Sequence, residues 1–375
     1  MQYDDLELEI SPCLCGKMEV RVLASEFGRP REAFVAPYRP RQFLWQMERL
    51  EALICLRQRG MGARRARFVK EEGAKFFEAL FPGKVRSTLE RCQAAASSRG
   101  RGLRIRLGFG DGAGVRPEVQ GVPWEMAFHP ESRDFLSCGP RSQIVRTMDS
   151  PRSRPLLPAE PPLSVLCVLP NAKESPLPEI SKHRRALRRA LAGSQRVRLS
   201  FLEPPTTGAL QERLLEEEVH VLHFLGHGDF RRRSGEGLLI FEGPKGRQRE
   251  VSGRALGELL EGVPSLRLVT LMGCLGARVP RRRGQDPAGS VAAALAYSGV
   301  PAVLAMQHLV SSTAAQCFVE AFYQGLVRGA PVDRAVAEAR VAVKQSNQPR
   351  DTLEWATPVL MLRSPDARLL PAPEE

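Results

Sequence analysis

VHVLHFLGHGDF, residues 219–230, is an apolar run broken only by His220 and His223 that ends on Gly226-His227-Gly228-Asp229. A segment of strand length, rich in Val, Leu and Phe and closed by glycine, reads as a strand buried on both faces. Similar runs recur around it: LSVLCVLP (163–170), RVRLSFLE (196–203), LRLVTLMG (266–273), PAVLAMQ (301–307) and ATPVLMLR (356–363). Helical patterns separate them at 179–192, 206–218 (Thr206 or Thr207 as N-cap), 253–262, 290–299 and 312–328, and from Pro331 onward. In the fifth, Ala315, Phe318, Phe322 and Leu326 share a face, and Thr313 and Gln316 stand at capping-box spacing. Alternating strands and helices predict an α/β fold, a doubly wound, mostly parallel sheet with right-handed crossovers.

Upstream the pattern is different. DSPRSRPLLPAEPPL, residues 149–163, holds five prolines and little that can join a sheet. It divides the chain into a smaller α/β or α+β unit, 1–155, and a larger unit, 156–375. The first unit opens with strand-like alternation in LELEI and MEVRVLA. A helix follows from Gln42 to Arg59 with Phe43, Met47, Leu50 and Ile54 on one face, and further helices near 69–81 and 84–97. Strands are expected at GLRIRLGF (102–109), WEMAF (124–128) and SQIVRT (142–147).

Composition excludes several function classes. The 375 residues are 43% hydrophobic and 26% charged, as in a globular protein. No run approaches the roughly 18 apolar residues of a membrane span, and the acidic start MQYDDLELEI lacks a signal-peptide layout. A cytoplasmic protein without membrane contact is expected. The eight cysteines form no CxxC, which argues against a disulfide framework or structural zinc. The net charge of +13 is spread along the chain, aromatics are only 6%, and no nucleic-acid motif appears; this composition favours solvated basic faces over a nucleic-acid partner.

In a sheet of this kind ligands bind beyond the carboxyl ends of the strands. His227 follows the strand 219–226, and Cys274 follows the strand 266–273. The two are separated by one strand-helix-strand unit and occupy equivalent ends. A free thiol of pKa about 8.5 is only a few per cent thiolate at neutral pH; a nearby imidazole takes its proton and later protonates a leaving amine. Gly228 lets substrate approach the backbone, and its N–H together with that of Cys274 is a candidate oxyanion site. His220 reads as structural and His223 as a buried residue supporting the catalytic pair. His308, which also follows a strand, is a candidate for the rim. No metal ligand set accompanies His223 and His227, no GxSxG elbow is present, and Gly226-x-Gly228 lacks the third glycine of a nucleotide site. No cofactor is expected.

VHVLHFLGHGDF, LRLVTLMGCLGA and GVPAVLAMQHLVSSTAAQCFVEAFYQGLVRGAPVDRAVAEARVAV together resemble the CHAT family of caspase-like cysteine peptidases, in the clan of caspases, gingipains and separases. The resemblance is strong over 160–363 and weaker upstream through GVPWEMAF and DLELEI. It implies a cysteine endopeptidase with His227 as base and Cys274 as nucleophile, and a degenerate caspase-like or accessory first half. It also implies a protein substrate, a gasdermin-type pore former being one candidate, and a role in bacterial antiphage defence or regulated cell death. With no tetratricopeptide array in the chain, an activating sensor would be a separate protein.

Where relatives place an acid to hold a basic P1 side chain, AMQHLVSS ends on Ser311 and Ser312. A hydroxyl does not neutralise a guanidinium, so a non-basic P1 residue is expected. The substrate-pocket candidates are Asp229, His308, Ser311 and Ser312, and Asp286 is a second alternative source of charge. Leu275 stands where relatives often carry Glu. Arg231–Arg233 and Arg281–Arg283 are candidates for attracting acidic substrate flanks, and the loop 278–288 is a candidate self-cleavage site. The alternative is a catalytically silent scaffold that binds a partner protein.

Overall fold

The alternation of LELEI sets the first strand. In a computed structural model of the chain, β1 (Tyr3–Pro12) buries Leu6, Leu8 and Ile10 and turns Asp5, Glu7 and Glu9 to its other face. The structure describes residues 2–13, 17–55, 62–110, 115, 117–148, 158–176, 179–231, 234–273, 290–346, 353–364 and 366–371. β2 (Met18–Ala24) and β3 (Arg31–Phe34) follow, then α1 (Pro40–Cys55), α2 (Gly62–Leu80) and α3 (Gly83–Ser98). Phe43, Met47 and Leu50 of α1 are buried as their spacing predicts; the Ile54 side chain lies outside the described residues. β4 (Gly102–Phe109) leads to α4 (Pro117–Gln120), the short pair β5 (Phe128–His129) and β6 (Asp134–Phe135), and β7 (Ser142–Arg146).

The expected strand at WEMAF is corrected here. Residues Trp124–Met126 form a 3-10 turn entered through Pro123, and only Phe128–His129 is extended. The Trp124 indole donates to the Val119 carbonyl at 3.0 Å and Glu125 turns inward to Arg146, so buried polar contacts override the strand-like composition.

The regular half follows as β8 (Leu163–Val168), α5 (Ile180–Leu191), β9 (Val197–Phe201), α6 (Thr207–Glu216) and β10 (Val221–Phe224). A unit the sequence reading does not anticipate comes next: β11 (Gly228–Phe230), β12 (Gly237–Glu242) and β13 (Gln248–Ser252) make a separate three-stranded sheet. Then come α7 (Gly253–Glu261), β14 (Leu268–Leu271), α8 (Val291–Tyr297), β15 (Ala302–Met306), α9 (Ser312–Val327), α10 (Val332–Gln345) and β16 (Pro358–Leu362).

The principal sheet has eleven strands in the order β3-β2-β1-β4-β7-β16-β15-β14-β10-β8-β9. Apart from the antiparallel β2 and β3 at one edge, it consists of two parallel blocks. β1, β4, β7 and β16 run one way, β15, β14, β10, β8 and β9 the other, and the blocks join antiparallel at β15 and β16. The carboxyl ends of the two blocks therefore open on opposite edges of the sheet. In the second block Val165, Cys167, Val221 and Leu268 pack with α5, α9 and α10, while Leu166, Val168, Leu222, Phe224, Val269 and Leu271 pack with α7 and α8. That two-sided burial is what the unbroken apolar runs encode. Chain order leaves β8 toward β9 on one side and returns to β10 on the other, so the switch point lies between β8 and β10. Among the described residues no helix is long and apolar enough to cross a membrane.

Candidate active site

On the other side of β10 from the switch point, β10 and β14 run parallel with His223 opposite Thr270 and Phe224 opposite Leu271. The pairing continues outward, with the Met272 N–H donating to the Phe224 carbonyl at 2.8 Å. Beyond it the two backbones touch at glycines. A Cβ on Gly273 would lie 2.0 Å from the Gly226 carbonyl oxygen, and one on Gly226 would lie 2.7 Å from the Phe224 ring. Only glycine permits this approach. The residues that follow these two glycines in sequence are His227 and Cys274. Cys274 itself lies outside the described residues, as do Leu275, Asp286, Arg232, Arg233, Arg281–Arg283 and the loop 278–288.

His227 is half-buried, and its ring is oriented by the loop after β8: Nε2 lies 3.1 Å from the Pro176 carbonyl oxygen. A carbonyl only accepts, so Nε2 carries the hydrogen and the neutral ring presents the Nδ1 lone pair. The His227 carbonyl accepts from the Ile240 N–H of β12 at 3.0 Å. His227 is thus the pivot between the main sheet and the three-stranded sheet. Gly228 sits opposite Leu239. With the neighbouring positions joined by that Ile240–His227 bond, Gly228 occupies the ladder position whose N–H points away from β12.

The other sequence candidates are distributed as follows. His220 accepts from the Ser164 N–H at 2.9 Å through Nδ1 and ties β10 to β8. His223 is fully buried; its Nδ1 lies 2.7 Å from the Thr270 hydroxyl and 3.0 Å from the Tyr323 hydroxyl. Burial, with a smaller push from His183, lowers its pKa from 6.5 to about 3, so it is neutral. Asp229 is exposed and accepts from the Phe230 N–H at 2.7 Å. His308 is buried, with Nδ1 3.4 Å from the Glu51 carboxylate of α1, rather than standing open on a rim.

The expected capping box at Thr313 and Gln316 is replaced by a cap at Ser311, two residues earlier. The Ser311 hydroxyl accepts from the Ala314 N–H, and the Gln316 amide reaches the Ser312 hydroxyl at 2.9 Å. The Ser311 N–H in turn donates to the Glu354 carboxylate. Ser312 also hydrogen-bonds Glu179, whose carboxyl is held below its usual range first by Lys182 and then by that hydroxyl. The sequence reading missed Pro176, Glu179 and Glu354. The first two lie in PNAKESPLPEI, which follows strand β8 at the same edge as His227, and that position was the available signal. Among the described residues no group of three or more His, Cys, Asp or Glu side chains could hold a metal ion.

Comparison with known proteins places this geometry. The family model described as CHAT domain matches residues 113–363, more than half of the chain. No curated protein matches. Among solved structures, the separase–securin complex of Saccharomyces cerevisiae at 2.6 Å resolution is 10% identical with a TM-score of 0.54, over 96% of this chain and 30% of that one. The same complex at 3.0 Å resolution is 11% identical, with a TM-score of 0.55 and the same coverage. A complex of Porphyromonas gingivalis RgpB pro- and mature domains gives 10% identity and a TM-score of 0.48, over 83% of this chain and 78% of that one. The fold is therefore caspase-like, and this chain spans about 30% of the length of the separase chains it resembles.

Proposed function

The chain belongs to the CHAT-domain family, and from that premise we propose that it is a cysteine endopeptidase in which Cys274 is the nucleophile and His227 the general base. The observation that carries this reading is the Gly226–Gly273 contact, since the chains leaving those glycines begin with His227 and Cys274. In this reading the Cys274 thiol gives its proton to His227 Nδ1, the nitrogen left free by the Pro176 carbonyl. The thiolate attacks the scissile carbonyl carbon. The resulting oxyanion takes hydrogen bonds from the Gly228 and Cys274 N–H groups, each such donor being worth about 3 kcal/mol. The tetrahedral intermediate collapses as the imidazolium protonates the departing amine, leaving a thioester. His227 then activates water to hydrolyse it, and the second product leaves as a carboxylate.

Residues 156–375 form the peptidase unit in this proposal and 1–155 the accessory unit, sharing one sheet; the family match begins at 113, inside the accessory part. Ser311 and Ser312, with Asp229 of β11, line the substrate side in this proposal, whereas His308 is buried against Glu51 of α1. The Glu179 carboxylate beside Ser312 is already paired with Lys182, and the Glu354 carboxylate is engaged by the Ser311 N–H, which supports a non-basic P1 residue. A fluorogenic peptide panel tests that preference, and fastest turnover after Arg overturns it.

The separase neighbour is a complex with a protein partner. We extend that to this chain: a separate activating or sensor protein controls it in the cytoplasm, and its substrate is a protein of bacterial defence or regulated cell death, such as a gasdermin-like pore former. The test of the activity is labelling with a cysteine-directed peptide electrophile. Wild type labels at Cys274, whereas Cys274→Ala and His227→Ala do not. Absence of labelling in wild type, with and without the partner, leaves the silent scaffold as the reading.

A further inference from the structure

Buried polar side chains in a parallel sheet covered on both faces are costly unless they are hydrogen-bonded, and apolar residues would fill the same sites more cheaply. The second block carries one such group on adjacent strands. Thr270 and His223 face each other at the same register, both fully buried, and Tyr323 of α9 closes over them with its hydroxyl 3.0 Å from His223 Nδ1. The tyrosine ring lies 5.6 Å from the imidazole, so the contact is both packed and hydrogen-bonded.

The placement of this cluster along the strands is specific. His223 stands four residues before His227, and Thr270 stands four residues before Cys274. The register that sets 223 against 270 is the one that brings Gly226 to Gly273. Sliding β14 by one residue would turn Thr270 to the α7–α8 face, and sliding by two would set His223 against Leu268 or Met272. Either slip strips the Thr270 hydroxyl from a buried imidazole. An all-apolar pair of strands has no comparable penalty against slipping.

We propose that Thr270, His223 and Tyr323 form a register lock, a set of positioning residues that fixes the end of β10 against the end of β14 and so sets the distance between His227 and Cys274. The lock rests on the Cys–His reading above. It acts through the strands without touching substrate, and α9 belongs to it because Tyr323 supplies one of the two bonds at Nδ1.

The test measures the dyad without requiring a known substrate. Alkylation of Cys274 by iodoacetamide is followed against pH by mass spectrometry of the peptide containing it, in wild type, His227→Ala, Thr270→Val, Tyr323→Phe, His223→Leu and His223→Asn. Far-UV circular dichroism and Tm are recorded in parallel. Thr270→Val and Tyr323→Phe are expected to slow alkylation at pH 7 about tenfold, within the loss that an ångström of misplacement can cause. They are also expected to move the midpoint toward that of a free cysteine, about 8.5. His223→Leu should do the same more strongly. His223→Asn, whose amide keeps a polar group near the Nδ1 position, should restore most of the rate.

A lower Tm in Thr270→Val and Tyr323→Phe with the Cys274 profile unmoved overturns the lock and leaves the trio as ordinary core. If Thr270→Val does not fold, the near-isosteric Tyr323→Phe decides. A profile already unmoved by His227→Ala overturns the dyad itself, and the lock with it; a profile moved by His227→Ala but by no lock variant overturns the lock alone.

Discussion

The two parallel blocks of the sheet share an architecture and differ in what they do with polar residues. In the first block the strands carry arginines, and each is consumed by neighbours. Arg104 pairs with Asp5 and with Asp333 of α10, Arg106 reaches Glu7 and the carbonyls of Arg363 and Ser364, and Arg146 forks onto Glu125 and touches Gln307. In the second block β8, β10, β14 and β15 contain no charged residue at all, and their ends at β10 and β14 close on glycines. Charge in the first block joins the halves of the molecule. The second block ends its strands on glycines, where the proposed dyad stands. In that proposal the same sheet is a brace at one side and a site at the other.

The largest effect should come from breaking the brace. Glu125 is fully buried and its carboxylate holds both Nε and Nη2 of Arg146 at 2.9 Å. Removing one partner strands the other charge away from water. Glu125→Ala is therefore expected to lower unfolding free energy by about 3–5 kcal/mol, read by urea denaturation. A loss under about 1 kcal/mol would show that the guanidinium finds water or another acceptor, and that the first block tolerates charge as a surface does.

The next effect separates the strand ends. Gly273 and Gly110 both follow strands, β14 in the second block and β4 in the first. A Cβ on Gly273 meets a backbone carbonyl oxygen at 2.0 Å, which cannot move aside; a Cβ on Gly110 meets the Glu9 side chain and Ser11 at 3.3 Å, which can give. Gly273→Ala is expected to lower labelling of Cys274 by the peptide electrophile about a hundredfold, the scale of a 1 Å displacement at the reacting atoms, while Gly110→Ala stays near wild type. Equal rates in the two variants would erase the distinction between the blocks at their ends.

Much of the second block was legible because its determinants are local and periodic. Largely apolar runs of strand length, such as LSVLCV and LRLVTL, have only one comfortable home, a sheet covered on both faces. His227 could be picked out because a strand end is a definite place in such a sheet. What escaped was carried by contacts distant in sequence or by backbone atoms. The Pro176 carbonyl has no side-chain signature, and Glu354 meets the Ser311 N–H across 43 residues. The strand at WEMAF failed because Pro123 and the Glu125–Arg146 pair impose a turn that composition cannot show. The β11–β13 sheet has no place in an alternating strand-helix pattern, although GLLIFE is apolar and GPKG is a turn, because it is inserted between β10 and α7.

The smallest effect concerns acid sensitivity, at a histidine of the second block and at one outside the principal sheet. His223 has a folded pKa of about 3 against an ordinary 6.5, with burial the main cause. A depressed value means that the unfolded chain binds a proton the folded one refuses. The group's contribution to stability is whole above about pH 6.5 and is lost as pH falls through the window toward 3. His129, on β5 of the small β5–β6 pair, is also lowered, by burial first and then by Arg86. The unfolding free energy of wild type should therefore fall relative to that of His223→Leu by roughly 1 kcal/mol for each pH unit below about 6. The corresponding change for His129→Leu should have the same sign, since its pKa is also lowered by burial. A gap for His223 that is flat between pH 6 and 4 would mean that the imidazole is reached by water, and the interior of the second block would then be less dry than its apolar strands imply.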